Sequence, residues 1–115
     1  MSEKTLFSKI IDGEIPGDFV HRDERCVVIR DIAPQAPTHL LVIPIEPLAG
    51  VQAATEEHAA LLGHLMVVAR KLAEAEGLLE DGFRLVVNAG ENGGQEVPHL
   101  HVHVLGGRRM KWPPG

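Results

Sequence analysis

Three histidines at alternate positions, His99, His101 and His103, are the residues of this chain best suited to chemistry. They interleave with Leu100, Val102 and Val104 in the run Pro98-His99-Leu100-His101-Val102-His103-Val104-Leu105. Strict alternation is the period of a β-strand, whose successive side chains point to opposite faces. On a helix, residues two apart are rotated by about 200° and face away from each other. The run is therefore expected to be a strand that sends Leu100, Val102 and Val104 into the core. The three imidazoles would then stand in a row on the other face, roughly 6.5–7 Å apart. Pro98 fits the first position of such a strand, and Gly106-Gly107 ends it.

Such a row has three readings. As a plain half-exposed face it needs no histidine, because Thr, Lys or Glu would serve as well. As a metal site, His-x-His offers two ligands to one zinc, and a further ligand must come from elsewhere. As a reaction centre it suits phosphate chemistry. A neutral imidazole is a competent nucleophile near pH 7, and its neighbours can stabilise phosphoryl oxygens. The loop just before the row, Gly93-Gly94-Gln95, lets backbone N–H groups approach an oxyanion without a Cβ in the way. Alone it would read as a flexible turn; beside the histidines it is a candidate phosphate cradle. Asp31 is placed either to accept from sugar hydroxyls or to cap the turn that follows it. His39 is either a fourth site imidazole or a buried, hydrogen-bonded one. His21, His58 and His64 have no such company in the sequence and read as surface or packing residues.

These groups need a scaffold, and the sequence outlines one. Leu6 with Ile10 and Phe7 with Ile11 pair at i,i+4, a short helix begun by Thr5 and broken by Asp12-Gly13. Phe19–Arg22 and Cys26–Asp31 are strands joined by the tight turn Asp23-Glu24-Arg25, an antiparallel hairpin. Pro34 and Pro37 make the next stretch a loop. His39–Pro44 follows, apolar on both faces and hence central. Thr55 to Glu76 reads as the one long helix, with Thr55 as N-cap, acids in its first turn and Gly77 as its stop. Its stripe of Leu61, Leu65, Val68, Ala69 and Leu72, widened by Leu62, Met66 and Ala73, exceeds what one small sheet needs. Part of it is expected to meet a second copy of the chain. Phe83–Asn88 is another strand. The sum is an α+β domain with a mainly antiparallel, five-stranded sheet, one long helix and one short one.

Composition narrows the partners. The 115 residues make one domain and one core. A formal net charge of −5 argues against duplex nucleic acid and polybasic membrane binding. Three Phe, one Trp and no Tyr give no broad base-stacking surface. Arg108, Arg109 and Lys111 form a local basic cluster, a solvated tail or an anion-steering rim. The single cysteine, Cys26, sits in an apolar run and reads as a small packed hydrophobe. With no apolar leader in Met1-Ser2-Glu3-Lys4 and no run near the length of a membrane span, a cytoplasmic protein is expected.

His99-Leu100-His101-Val102-His103-Val104-Leu105 resembles the signature of the histidine-triad (HIT) family. Asp31-Ile32-Ala33-Pro34-Gln35-Ala36-Pro37-Thr38-His39-Leu40-Leu41-Val42-Ile43-Pro44 resembles its other hallmark segment. Gly94-Gln95 before the triad, Gly106-Gly107-Arg108 after it and the terminal Trp112-Pro113-Pro114-Gly115 also match. The likeness covers nearly the whole chain, read as a single domain over residues 1–115, and points to the Hint branch, the nucleotide-binding members. It implies a homodimer that hydrolyses purine nucleoside 5′-phosphoramidates, with AMP, GMP or an adenosine-like molecule as ligand and no metal or other cofactor. It makes His101 the nucleophile that becomes nucleotidylated, His103 the partner of phosphate or leaving group, and His99 and His39 the orienting residues. Asn88 and the backbone of Gly94, Gln95, Glu96 and Val97 would hold the phosphate, and Asp31 the ribose. Leu6, Phe7, Ile10, Ile29 and Ile32 match the slot for the base. Trp112 would lie in a tail, residues 108–115, reaching toward the partner's site. Glu96 stands where animal members have a serine that assists the leaving amine, and Pro98 where an aromatic is frequent; both changes suggest a bacterial-like member. Two rival functions remain. One is a zinc- or nucleotide-binding regulator without turnover. The other is a dinucleoside polyphosphate hydrolase, disfavoured because the chain ends soon after the triad with no second nucleotide site in view.

Overall fold

The central strand is the most apolar one, as its sequence requires. In a computed structural model describing residues 4–115, β3 (Thr38–Pro44) is buried from His39 onward. The hairpin β1 (Phe19–Arg22) and β2 (Cys26–Arg30) lies on one side of it. β5 (Val102–Gly106) and the edge strand β4 (Phe83–Val86) lie on the other, giving the order β1-β2-β3-β5-β4 with every pair antiparallel. Residues 1–3, on which most of the expectation about a leader rests, lie outside the described residues.

The sheet divides the core in two. Leu40 and Val42 of β3, Val28 of β2, and Val102 and Val104 of β5 pack under the long helix α2 (Ala59–Ala75) through Leu61, Leu65, Val68, Ala69 and Ala73. Leu41, Ile43, Val27 and Ile29 face the opposite way and receive the short helix α1 (Leu6–Ile11) through Phe7, Ile10 and Ile11. Thr5 caps α1 by accepting the Ser8 N–H at 3.0 Å.

Three expectations need correction. The histidine strand begins at Val102 rather than at Pro98 or His99. The register pairs Val42 with Val102, so Pro44 would stand opposite Leu100. Pro44 has no N–H for the ladder, and the Leu100 N–H donates instead to the Leu48 carbonyl at 2.7 Å. The long helix is α-helical only from Ala59; Glu56–His58 is a 3₁₀ turn. His58 is a capping residue there, its Nδ1 accepting the Thr55 N–H at 2.9 Å. Met66 does not widen the buried stripe, and with Val67 it is about half exposed (47% and 51%). No helix among the described residues is long and apolar enough to cross a membrane.

Candidate active site

A cavity of about 520 Å³ opens on the α1 side of the sheet, a size suited to a small molecule. Its polar end is made of imidazoles. His39 comes from β3 and His103 from β5, on neighbouring strands; His101 lies just before β5. The ring centroids of His101 and His103 are 5.0 Å apart, and those of His39 and His103 5.1 Å.

The hydrogen bonds assign a proton to each ring. His101 Nδ1 lies 2.8 Å from the His99 carbonyl and must donate to it, which leaves Nε2 with its lone pair. That Nε2 has no partner among the described residues. His39 Nδ1 accepts the Gln35 N–H at 3.0 Å, so its Nε2 carries the proton and donates to His103 Nδ1 at 2.8 Å. His103 Nδ1 is thereby the acceptor, and its Nε2 bears an N–H. The site thus offers a nucleophilic nitrogen on His101 beside a neutral donor on His103. Burial first, then the neighbouring His101 and His39, pushes the His103 pKa down to about 4, so near pH 7 this donor carries no charge. Burial also lowers the pKa values of His39 and His99.

His99 does not flank the cavity as an evenly spaced row would have it. It is fully buried, its Nε2 donating to the Pro44 carbonyl at 2.8 Å and its Nδ1 accepting the Thr5 hydroxyl at 2.7 Å. It serves His101 from behind, through its own carbonyl. Phe7 of α1 wedges between them, its ring meeting those of His101 and His99 edge-on at 4.9 and 6.0 Å.

The other predicted residues divide similarly. Leu6, Phe7, Ile10, Ile29, Ile32 and Val97 form the apolar wall. Asp31, Asn88, Gly94 and Glu96 also line the cavity. Asp31 caps the next turn, Oδ1 accepting the Ala33 N–H at 2.8 Å, while Oδ2 lies 3.4 Å from His39 Nε2. Asn88 Nδ2 donates to the Gly93 carbonyl at 2.7 Å and ties the glycine loop to the end of β4. The loop needs both glycines: a Cβ on Gly93 would sit 2.4 Å from the Ala89 oxygen, and Gly94 has φ +76°. Gln95 is outside the cavity lining: its N–H donates to the Gly90 carbonyl at 3.0 Å, and its side chain is a strut. Its Oε1 accepts the Gly90 N–H at 2.9 Å, and its Nε2 donates to the Ala49 and Val97 carbonyls at 2.7 and 3.0 Å. Trp112 is also outside, four-fifths exposed on this chain.

Sequence reasoning missed the parts that set the tautomers: the Gln35 N–H, the Pro44 carbonyl and the Thr5 hydroxyl. Only the proline-bracketed loop before His39 was a visible signal for the first of them. For a metal, Asp31, His39 and His103 present ligand atoms within 4.8 Å of one another.

Residues 12–110 match the HIT domain family. A purine nucleoside phosphoramidase of Escherichia coli K12 is 52% identical over 110 residues, covering 96% of this chain and 92% of that protein. A 14 kDa zinc-binding protein of Zea mays is 53% identical over 113 residues, covering 96% and 88%. The crystal structure of a HIT family hydrolase from Legionella pneumophila superposes with a TM-score of 0.95 at 51% identity, covering 97% of this chain and all of that one. With a family match over residues 12–110 and relatives more than half identical over nearly all of both chains, the chain belongs to the HIT family.

Proposed function

We propose that the protein is a hydrolase of purine nucleoside 5′-phosphoramidates, working through a nucleotidyl-histidine intermediate. One observation carries the reading: the His99 carbonyl holds the His101 proton on Nδ1, leaving Nε2 free to attack. The lone pair of His101 Nε2 forms the N–P bond to the α-phosphorus. The substrate's P–N bond breaks, and the amine departs with a proton taken from solvent, which the later attack of water gives back. Water then attacks phosphorus, the His101–phosphorus bond breaks, and the nucleotide is released. His103 Nε2–H and the N–H groups of Glu96 and Val97 face the phosphoryl oxygens as charge builds there, while the Gly94 and Gln95 N–H groups hold the loop itself by donating to the Glu91 and Gly90 carbonyls at 3.0 Å. The apolar wall takes the base, and the free side of the Asp31 carboxylate takes ribose hydroxyls.

The similarity to the E. coli phosphoramidase supports this substrate class. A second reading, zinc binding without turnover, draws on the Asp31–His39–His103 cluster and on the name of the maize relative. Chelator-treated protein decides between them on adenosine 5′-phosphoramidate. Turnover that survives removal of metal supports the hydrolase; turnover that appears only with added zinc overturns the mechanism above.

A further inference from the structure

The side of the sheet away from the active site holds a second cluster of reactive side chains. His21 of β1, Asp23 of the hairpin turn, Cys26 of β2 and His64 of α2 converge on one atom, Asp23 Oδ2. His21 Nε2 lies 2.8 Å from it, His64 Nε2 2.9 Å and Cys26 Sγ 3.5 Å. The ligand atoms of His21, Asp23 and Cys26 all fall within 4.8 Å of one another. His21 and His64, read from the sequence as residues without company, meet at Asp23; Cys26 is packed in the core as expected and also turns its Sγ to that carboxylate.

We propose that His21, Asp23, Cys26 and His64 form a binding site for a divalent transition cation of the zinc type, separate from the active site. Two imidazoles, a carboxylate and a thiolate are a tetrahedral zinc donor set, and nitrogen and sulfur ligands select against magnesium and calcium. Zinc bonds of about 2.0–2.3 Å place tetrahedral ligands roughly 3.3–3.7 Å apart. The two imidazole contacts on Asp23 Oδ2 would therefore open by about 0.5–0.8 Å, and His64, which is not within 4.8 Å of all three other donors, would close on the ion. The carboxylate is already aimed: its Oδ1 accepts the Arg25 and Cys26 N–H groups at 2.8 and 2.9 Å, leaving Oδ2 for the cluster. Turn capping uses Oδ1 alone and does not account for three side chains gathered on the other oxygen. Both histidine side chains are about one-third exposed, which opens a path from solvent. Nδ1 of each ring has no partner among the described residues, so the ring proton can move there and release Nε2 to the metal. On binding, the metal–sulfur bond replaces the Cys26 S–H bond, and that proton leaves to buffer. The bound ion would staple the hairpin to α2.

Cobalt(II) added to the chelator-stripped full-length protein is the probe, because it reports geometry and thiolate ligation optically. The expected result is one equivalent bound, with tetrahedral d–d bands and a thiolate-to-cobalt charge-transfer band. Cys26→Ser should abolish the charge-transfer band. His64→Gln and His21→Ala, both at partly exposed positions, should each weaken binding at least tenfold and keep the test alive if Cys26→Ser does not fold. His103→Asn should leave the band in place, which separates this site from the active-site histidines. Cobalt that binds without the band, or affinity unchanged in His64→Gln and His21→Ala, overturns the proposal.

Discussion

At the scale of single residues, the proposed mechanism separates side chains that react from those that only position. His101 alone combines a locked Nδ1 proton with a free Nε2. His101→Asn should leave AMP affinity within a few fold while kcat falls by several orders of magnitude, as when a covalent step is deleted. Acid-quenched wild-type protein should yield a single nucleotidyl adduct on His101 by mass spectrometry, and the variant none; an adduct on His103 would refute the assignment. Glu96 lines the cavity as an exposed side chain with no hydrogen-bond partner among the described residues. If its backbone is what matters, Glu96→Ala changes kcat/KM less than tenfold, below about 1.4 kcal/mol. A thousandfold loss would make the carboxyl a working acid or base. The alternation of His99 to Val104 was enough to place Leu100, Val102 and Val104 in the core. It could not reveal that His99 turns its ring to the Pro44 carbonyl, because that bond joins positions 55 residues apart. Nor could it assign the tautomers, which depend on the Thr5 hydroxyl and on backbone atoms of Gln35, Pro44 and His99 that any side chain would leave in place.

Among the elements, the glycine loop is braced against the segment that follows β3 by Gln95. Its amide bonds to Gly90, Ala49 and Val97, so Gln95→Ala leaves several polar groups without partners, a cost of about 1–3 kcal/mol. The expected outcome is a raised KM with kcat less affected, measured together with a lower melting temperature; an unchanged KM would show that the loop does not need its strut. The strands were largely legible: β1 is matched residue for residue, β2 and β3 to within one residue, and α1 with its Thr5 cap. Failures fell at ends, where tertiary partners decide. β4 stops at Val86 rather than Asn88, whose side chain is engaged with Gly93. The first turn of the long helix tightens to 3₁₀ around the His58 cap. The convergence of His21 and His64 was invisible, since one sits on a strand and the other on a helix, with 42 residues between them.

For the whole molecule, stability and assembly give two further tests. His39, His99 and His103 are held neutral by burial, with folded pKa values below the ordinary 6.5. The unfolded chain therefore binds protons first as pH falls, and the stability these groups permit above 6.5 is lost on descent toward about 4. Melting temperature should fall across that window, and His103→Asn should flatten the slope; a flat wild-type profile would contradict the burial account. Exposed Met66 and Val67 on α2 and the unpaired outer edge of β4 suit a second copy of the chain. Sedimentation equilibrium at micromolar concentration should give twice 12.5 kDa, and a clean monomer would refute the pairing. Thr5 is the last feature to follow outward. The same hydroxyl that caps α1 also contacts the buried His99 ring. A helix of six residues has little stability of its own. Fraying of the chain's first turn is thereby wired to the reaction centre. Any event that tugs on residues before Thr5, such as a fused tag, a trimmed end or an N-terminal modification, would be felt as a loosened His99 and a less sharply aimed His101, although it acts outside the cavity.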